Sequence, residues 1–259
     1  MAKLNLRKVT AVRYVTPLRE GGSLPAIVEA DDDGIYVLKF RGAGQGTKAL
    51  IAELISGEIA RTIGLLVPEI VFVELDAGLA RTEADPEISE LIKSSAGLNL
   101  ALDYLPGSVM FNPVADMPDE HLASLIVWFD AFVSNVDRTI RNTNMLMWHR
   151  RLWLIDHGAS LYFHHNWENY MEKSREPFKL IKNHVLINSA KYLWKADEEI
   201  SSKLNSSVIR NIIDTIPDEW LNGDQIFKNP EENKNAYFNY LIKRLEKPHL
   251  FIEEAVREQ

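Results

Sequence analysis

Val136-Asp137-Arg138-Thr139-Ile140-Arg141-Asn142-Thr143-Asn144 is a polar stretch between apolar neighbours, and Leu152-Trp153-Leu154-Ile155-Asp156-His157-Gly158 follows it after a short gap. Between them, Asn144 to Trp148 and Leu152 to Ile155 are short apolar runs separated by His149-Arg150-Arg151, which predicts a tight hairpin of two small strands. One carboxylate thus stands on each side of a hairpin: Asp137 in the loop that leads in, and Asp156 at the end of the strand that leads out, with Gly158 freeing the turn after it. Phosphoryl transfer needs a carboxylate beside the incoming hydroxyl and, close by, an amide oxygen able to hold magnesium on nucleotide phosphates. Asp137 with Asn142 meets that pattern, and Asp156 stands where a second acidic ligand would reach the same metal. Taken singly, an Asp with an Asn soon after it is also an ordinary solvated turn, and Ile-Asp-His-Gly an ordinary strand ending. Their order across one hairpin makes the pair more specific than either.

Upstream, Val9 to Tyr14, Leu24 to Ala30 and Gly34 to Phe40 predict three strands, the last two joined at the turn Asp31-Asp32-Asp33-Gly34. Lys39 lies inside the third, in Val37-Leu38-Lys39-Phe40. A lysine there either reaches from an edge to water or is a cation held inside for a phosphate; with Asp137 and Asp156 in the same chain the second reading is favoured. From Thr47 to Ile63 the period changes: Leu50, Leu54, Ile55, Ile59 and Ile63 share a helical stripe, and Gly64 is a stop. A half-buried ammonium needs a carboxylate, and this helix supplies Glu53, with Glu58 as a competing choice in a more exposed setting. Ile70 to Leu75 and Leu98 to Tyr104 are further strands. Two glycine clusters flank these elements. Gly21-Gly22-Ser23 lies between the first two strands and could let backbone amides approach phosphates, or simply turn a hairpin. Gly42-Ala43-Gly44-Gln45-Gly46 has the wrong spacing for a dinucleotide fingerprint.

From Asp119 the character is helical. Leu122 to Val136 carries Trp128, Phe129 and Phe132 as a core face, with Asp130 either bracing the loop that follows or capping a polar face. Asp197 to the end predicts two or three helices burying Trp220, Phe238, Leu241 and Leu245. His164-His165 reads as a surface or loop pair, and Lys179, Lys182 and His184 read equally as docking or solvated residues. The shift in composition from Pro106 to Pro118 suggests two units, 1–105 and 106–259.

The chain has 259 residues, 29 basic and 37 acidic, for a net charge of −8. That balance argues against nucleic acid or an anionic membrane as a dominant partner. The lack of cysteine excludes disulfides and thiolate metal sites and suits a reducing cytosol. The first residues have no signal-peptide core and no later run spans a bilayer, so a cytoplasmic protein is expected.

Together these residues resemble the HipA-like branch of the protein-kinase-like superfamily, from about Val9 to Ile187. The resemblance implies an α+β, bilobal fold: a small β-rich N-terminal lobe with one main helix, and a larger, mostly helical C-terminal lobe. It implies an ATP-dependent phosphotransferase using Mg2+. In it Gly21, Gly22 and Ser23 occupy the glycine loop, Lys39 is the strand lysine, and Glu53 is its helix partner, since Glu53 through Gly64 to Pro68 resembles the family's helix followed by Gly-x-x-Val-Pro. Asp137 is the catalytic-loop aspartate, and Asp156 the metal-binding aspartate of an Asp-x-Gly-like turn. Asn142 fits the metal-binding asparagine by spacing, and Asn144 by its place before Met145-Leu146-Met147. Asp103 and Tyr104 would lie near the adenine. Arg138 departs from the commoner family sequence and is similar to the Asp-Arg of phosphoinositide-kinase-like loops. The acceptor and the oligomeric state stay open, as do a nucleotide-binding pseudokinase and an adenylyl transferase on the same fold.

Overall fold

The computed structural model describes residues 4–18 and 24–259. Gly21, Gly22 and Ser23 lie outside the described residues. Five strands, β1 (Lys8–Pro17), β2 (Ala26–Ala30), β3 (Ile35–Lys39), β4 (Ile70–Leu75) and β5 (Gly97–Asp103), close into a barrel in the order β1-β2-β3-β5-β4. Closure comes from β1, which pairs antiparallel with β2 and parallel with β4. Alternation along the strands fills the interior with Ala26, Val28, Tyr36, Leu38, Val71, Val73 and Ala101. The second strand begins later than expected, because Leu24 has a left-handed φ of 45° and Pro25 brings no N–H to a ladder.

Helix α1 (Thr47–Ile63) follows the barrel strand that carries Lys39 and ends as expected at Gly64, whose φ is 98°. Every residue from Leu50 to Ala60 is buried, Glu53, Ser56 and Glu58 included. The stripe read from the sequence is therefore only part of a helix enclosed on all sides. Glu58 in particular is 7% exposed, against the exposed setting expected for it, and pairs with Arg61 at 3.4 Å. The cluster from Gly42 to Gly46 shapes the entry to α1: a Cβ on Gly42 would stand 2.8 Å from both Ser94 Oγ and Ser95 Oγ.

A short helix that the sequence reading did not anticipate, α2 (Pro86–Ser94), starts at Asp85, whose carboxylate caps Glu87 N–H, with Pro86 at its first position. A second sheet has the order β6-β7-β8, made of β6 (Val109–Met110), β7 (Met145–Trp148) and β8 (Arg151–Leu154). Its hairpin turns through His149 and Arg150, both left-handed at φ 48° and 62°, and Arg151 already belongs to β8. Helix α3 (Glu120–Val133) stops short of the predicted Val136 because Ser134 takes φ 55° and its N–H returns to Ala131 O. Trp128, Phe129 and Phe132 are fully buried in the main core, as expected.

After a short α4 (Tyr170–Lys173), four helices complete the chain: α5 (Leu193–Lys203), α6 (Ser206–Ile213), α7 (Pro230–Leu245) and α8 (His249–Arg257). That is one more than the upper expectation. Trp220 and Leu241 are buried there, while Phe238 and Leu245 are only partly so; the Arg210 guanidinium lies 3.8 Å above the Phe238 ring. Among the described residues no helix is long and apolar enough to cross a membrane.

Candidate active site

Strand β3 delivers Lys39 at its last residue, paired with Leu100 of β5. The ammonium donates to Glu53 Oε2 at 2.7 Å and to Asp156 Oδ1 at 2.5 Å, so residues from a strand, a helix and a distant turn meet at one nitrogen. Glu53 is fully buried, and it also accepts the His157 backbone N–H on Oε2 at 2.8 Å and faces His157 Nδ1 with Oε1 at 3.1 Å. Burial alone would raise the Glu53 carboxyl; the Lys39 charge and the bonds from His157 reverse this and bring its pKa from 4.5 to about 2. Burial likewise opposes charge on Lys39, but Glu53 and Asp156 outweigh it and hold the ammonium above the ordinary lysine value. Glu58 takes no part, so of the two helix carboxylates it is Glu53 that meets the lysine.

Across the β7–β8 hairpin, Asp137 gathers the two asparagines. Its Oδ2 accepts Asn142 Nδ2 at 2.7 Å and Asn144 Nδ2 at 3.2 Å. The hairpin register places this group beside the first. Met145 pairs with Leu154, and one step further out Ile155 N–H donates to Asn144 O at 3.0 Å, which leaves Asp156 next to Asn144. Asp156 itself has φ 55°, so the left-handed residue of this turn is the aspartate. Gly158 does not supply the freedom expected of it: a Cβ there would meet ordinary contacts at 3.7 Å.

Beneath the loop lies a buried polar network. Asp130, fully enclosed near the end of α3, accepts Asn135 Nδ2 at 2.8 Å, Arg138 Nε at 2.6 Å and His184 Nε2 at 2.8 Å. Leu186 N–H donates to His184 Nδ1, so the ring hydrogen sits on Nε2 and points at Asp130. Arg138 also donates to Asn144 O, and Val185 N–H to Arg138 O at 3.1 Å, which docks the segment after Asp156 onto the loop. Burial would raise Asp130; the Arg138 charge and the His184 and Asn135 bonds hold it well below the usual carboxylate range. Of the two readings of Asp130, bracing is the one realised. His184 is likewise buried instead of solvated, while Lys179 and Lys182 are exposed. Their burial, though not their pairing, was signalled in the sequence: a single carboxylate in the apolar run from Leu125 to Val133, and a histidine followed by Val185-Leu186-Ile187.

Asp103 is exposed and lies opposite Tyr36, three places along β3 from Lys39. The Asp103 and Tyr104 N–H groups donate to Glu69 O and Ile35 O. His164, read as a surface residue, is buried against Tyr237 Oη at 3.0 Å, and burial, then His165 and Lys48, hold it neutral. A cavity of about 430 Å³ opens beside Val136, lined among others by Ser134, Tyr162, Phe163, Phe178 and Tyr240.

The sequence profile of a family described as HipA-like kinase matches residues 11–253. Among solved structures, the chain is similar to a Helicobacter pylori proinflammatory kinase, CtkA, with TM-score 0.60 and 13% identity over 98% of this chain and 99% of that one. It is also similar to the Golgi casein kinase with Mn/ADP bound, at TM-score 0.48 and 12% identity over 98% of this chain and 74% of that one. No curated protein sequence matches it significantly. The likeness to CtkA shows the fold, a bilobal protein-kinase-like arrangement with a β-rich N-terminal region and a helical remainder.

Proposed function

The chain belongs to the HipA-like kinase family, and from that premise we propose that it is an ATP-dependent phosphotransferase acting on a hydroxyl acceptor. The observation that carries this reading is the junction at Lys39: one ammonium held between Glu53 and Asp156, beside a carboxylate, Asp137, that two asparagines fix in place. In this reading Lys39 meets the α and β phosphates of ATP, and Glu53 keeps it extended toward them. Asp137 orients the acceptor hydroxyl and takes its proton as the γ-phosphoryl group passes across. Its Oδ2 is occupied by the two amides, which leaves its other oxygen for the hydroxyl. Positioning and charge neutralisation supply most of the rate gain, because the phosphoryl transition state asks for little covalent help.

The donors present fit a hard divalent cation such as Mg2+: the half-exposed Asp156 carboxylate, and amide oxygens on asparagines whose N–H groups are turned to Asp137. Asp156 with Asn144 or Asn142 would hold it, and when bound it neutralises phosphate charge. The division into units 1–105 and 106–259 would put the nucleotide between them, and the absence of cysteine supports a cytosolic setting.

Asp137→Ala is expected to abolish phosphate transfer from ATP while the rise in melting temperature produced by ATP with magnesium stays as in the parent chain. Turnover retained in that variant, read by mass spectrometry of products, would remove Asp137 from this role.

A further inference from the structure

His157 is the middle residue of Asp156-His157-Gly158. It is fully buried, and its ring packs edge-on against Phe129 with centroids 5.8 Å apart. Both of its donors go to Glu53: the backbone N–H to Oε2 at 2.8 Å and ring Nδ1 to Oε1 at 3.1 Å. An ionised carboxylate only accepts, so a ring hydrogen is on Nδ1, and Nε2 is the nitrogen that Glu53 does not reach. That nitrogen is buried without a hydrogen-bond partner among the described residues. An enclosed polar nitrogen without a partner is a desolvation cost that an apolar ring of the same shape would not carry. The one productive polar contact of the ring is therefore with Glu53.

We propose that His157 is a positioning residue for nucleotide binding: its Nδ1–H holds Oε1 of Glu53, so that Oε2 stays on Lys39 and the lysine is presented to the phosphates. Glu53 has three donors around two oxygens, Lys39 at 2.7 Å and the two from His157. Without the ring donor, Oε1 is a buried charged oxygen lacking a bond, and the carboxylate turns to satisfy both oxygens on the one ammonium. Lys39 is then drawn toward α1 and given up less readily to a ligand. The proposal rests on the reading that Lys39 contacts the phosphates of ATP.

Three substitutions separate the parts of the side chain. His157→Phe keeps the ring packing and the backbone N–H but removes the donor. His157→Asn offers an amide N–H near the place of Nδ1, and His157→Gln one nearer the place of Nε2. Calorimetric titration with ATP and magnesium, at a temperature where thermal melts show every variant folded, is expected to show His157→Phe binding about ten-fold more weakly than the parent, the loss of one hydrogen bond to a charged group. His157→Asn is expected to recover most of that affinity and His157→Gln little of it. Lys39→Ala serves as the control on the premise. If it binds ATP as the parent does, the phosphate-contact reading and this proposal fall together. If it binds weakly while His157→Phe binds as the parent does, or if Asn and Gln behave alike, the positioning role alone is overturned. Should His157→Phe fail to fold, the comparison of Asn with Gln decides.

Discussion

Two asparagines share the Asp137 carboxylate, and their neighbours separate them. Asn144 is joined through its own carbonyl to Ile155, next to Asp156, whereas Asn142 makes the shorter bond to Asp137, 2.7 Å against 3.2 Å. Asn144→Ala is therefore expected to raise the magnesium concentration needed for ATP-dependent stabilisation by at least about ten-fold. Asn142→Ala should leave that concentration near its original value and slow transfer by loosening Asp137. A metal titration followed by melting temperature checks both, and the reverse pattern would assign the ligand to Asn142. At this scale the sequence was most legible where chemistry restricts the residue type: Lys39, Glu53, Asp137, Asn142, Asn144 and Asp156 were all singled out, and the fold brings them together. It was least legible where the role lies in a partner far along the chain. Nothing near His157 signals Glu53, and nothing near His184 signals Asp130.

The end of α3 and the loop after it behave as one element, because Asp130 binds the side chains of Asn135 and Arg138 and, through His184, the segment that follows Asp156. Removing one member of an enclosed ion pair leaves the other charged and desolvated. Asp130→Ala is thus expected to lower the unfolding free energy by about 3–5 kcal/mol in denaturant titrations. Glu219→Ala breaks the half-exposed pair with Arg41 and should cost no more than about 1 kcal/mol. Equal effects of the two would contradict a bracing role for Asp130. Element boundaries show why periodicity alone misplaces such features. The apolar pattern runs past Val133 to Val136, yet the helix ends where Ser134 turns left-handed, which releases Asn135 and Asp137 from helical geometry. The two-residue strand β6 is too short for any period, and α2 is announced only by the cap Asp85-Pro86. The β7–β8 hairpin, by contrast, was plain from two apolar runs and a polar turn.

For the molecule as a whole, the buried charges set the response to pH. Glu53 is depressed from 4.5 to about 2, so its contribution to stability is complete above 4.5 and is lost as pH falls toward 2. Asp130, also depressed, acts in the same direction, while Lys39, held above its ordinary 10.5, contributes below that value and weakens only in strong alkali. Denaturant midpoints are therefore expected to fall steeply between pH 4.5 and 2, and Glu53→Gln should flatten that fall. An unchanged acid slope in the variant would show that Glu53 is not held in its charged form. One consequence of the architecture concerns α1, whose residues from Leu50 to Ala60 are all shielded from water. Swinging such a rod outward would wet Ile51, Leu54, Ile55 and Ile59 together, on the order of 10 kcal/mol. That is as much as a domain of this kind has to lose. The rod works as a fixed axle, expected to hold one position whether the site beside it is empty or filled.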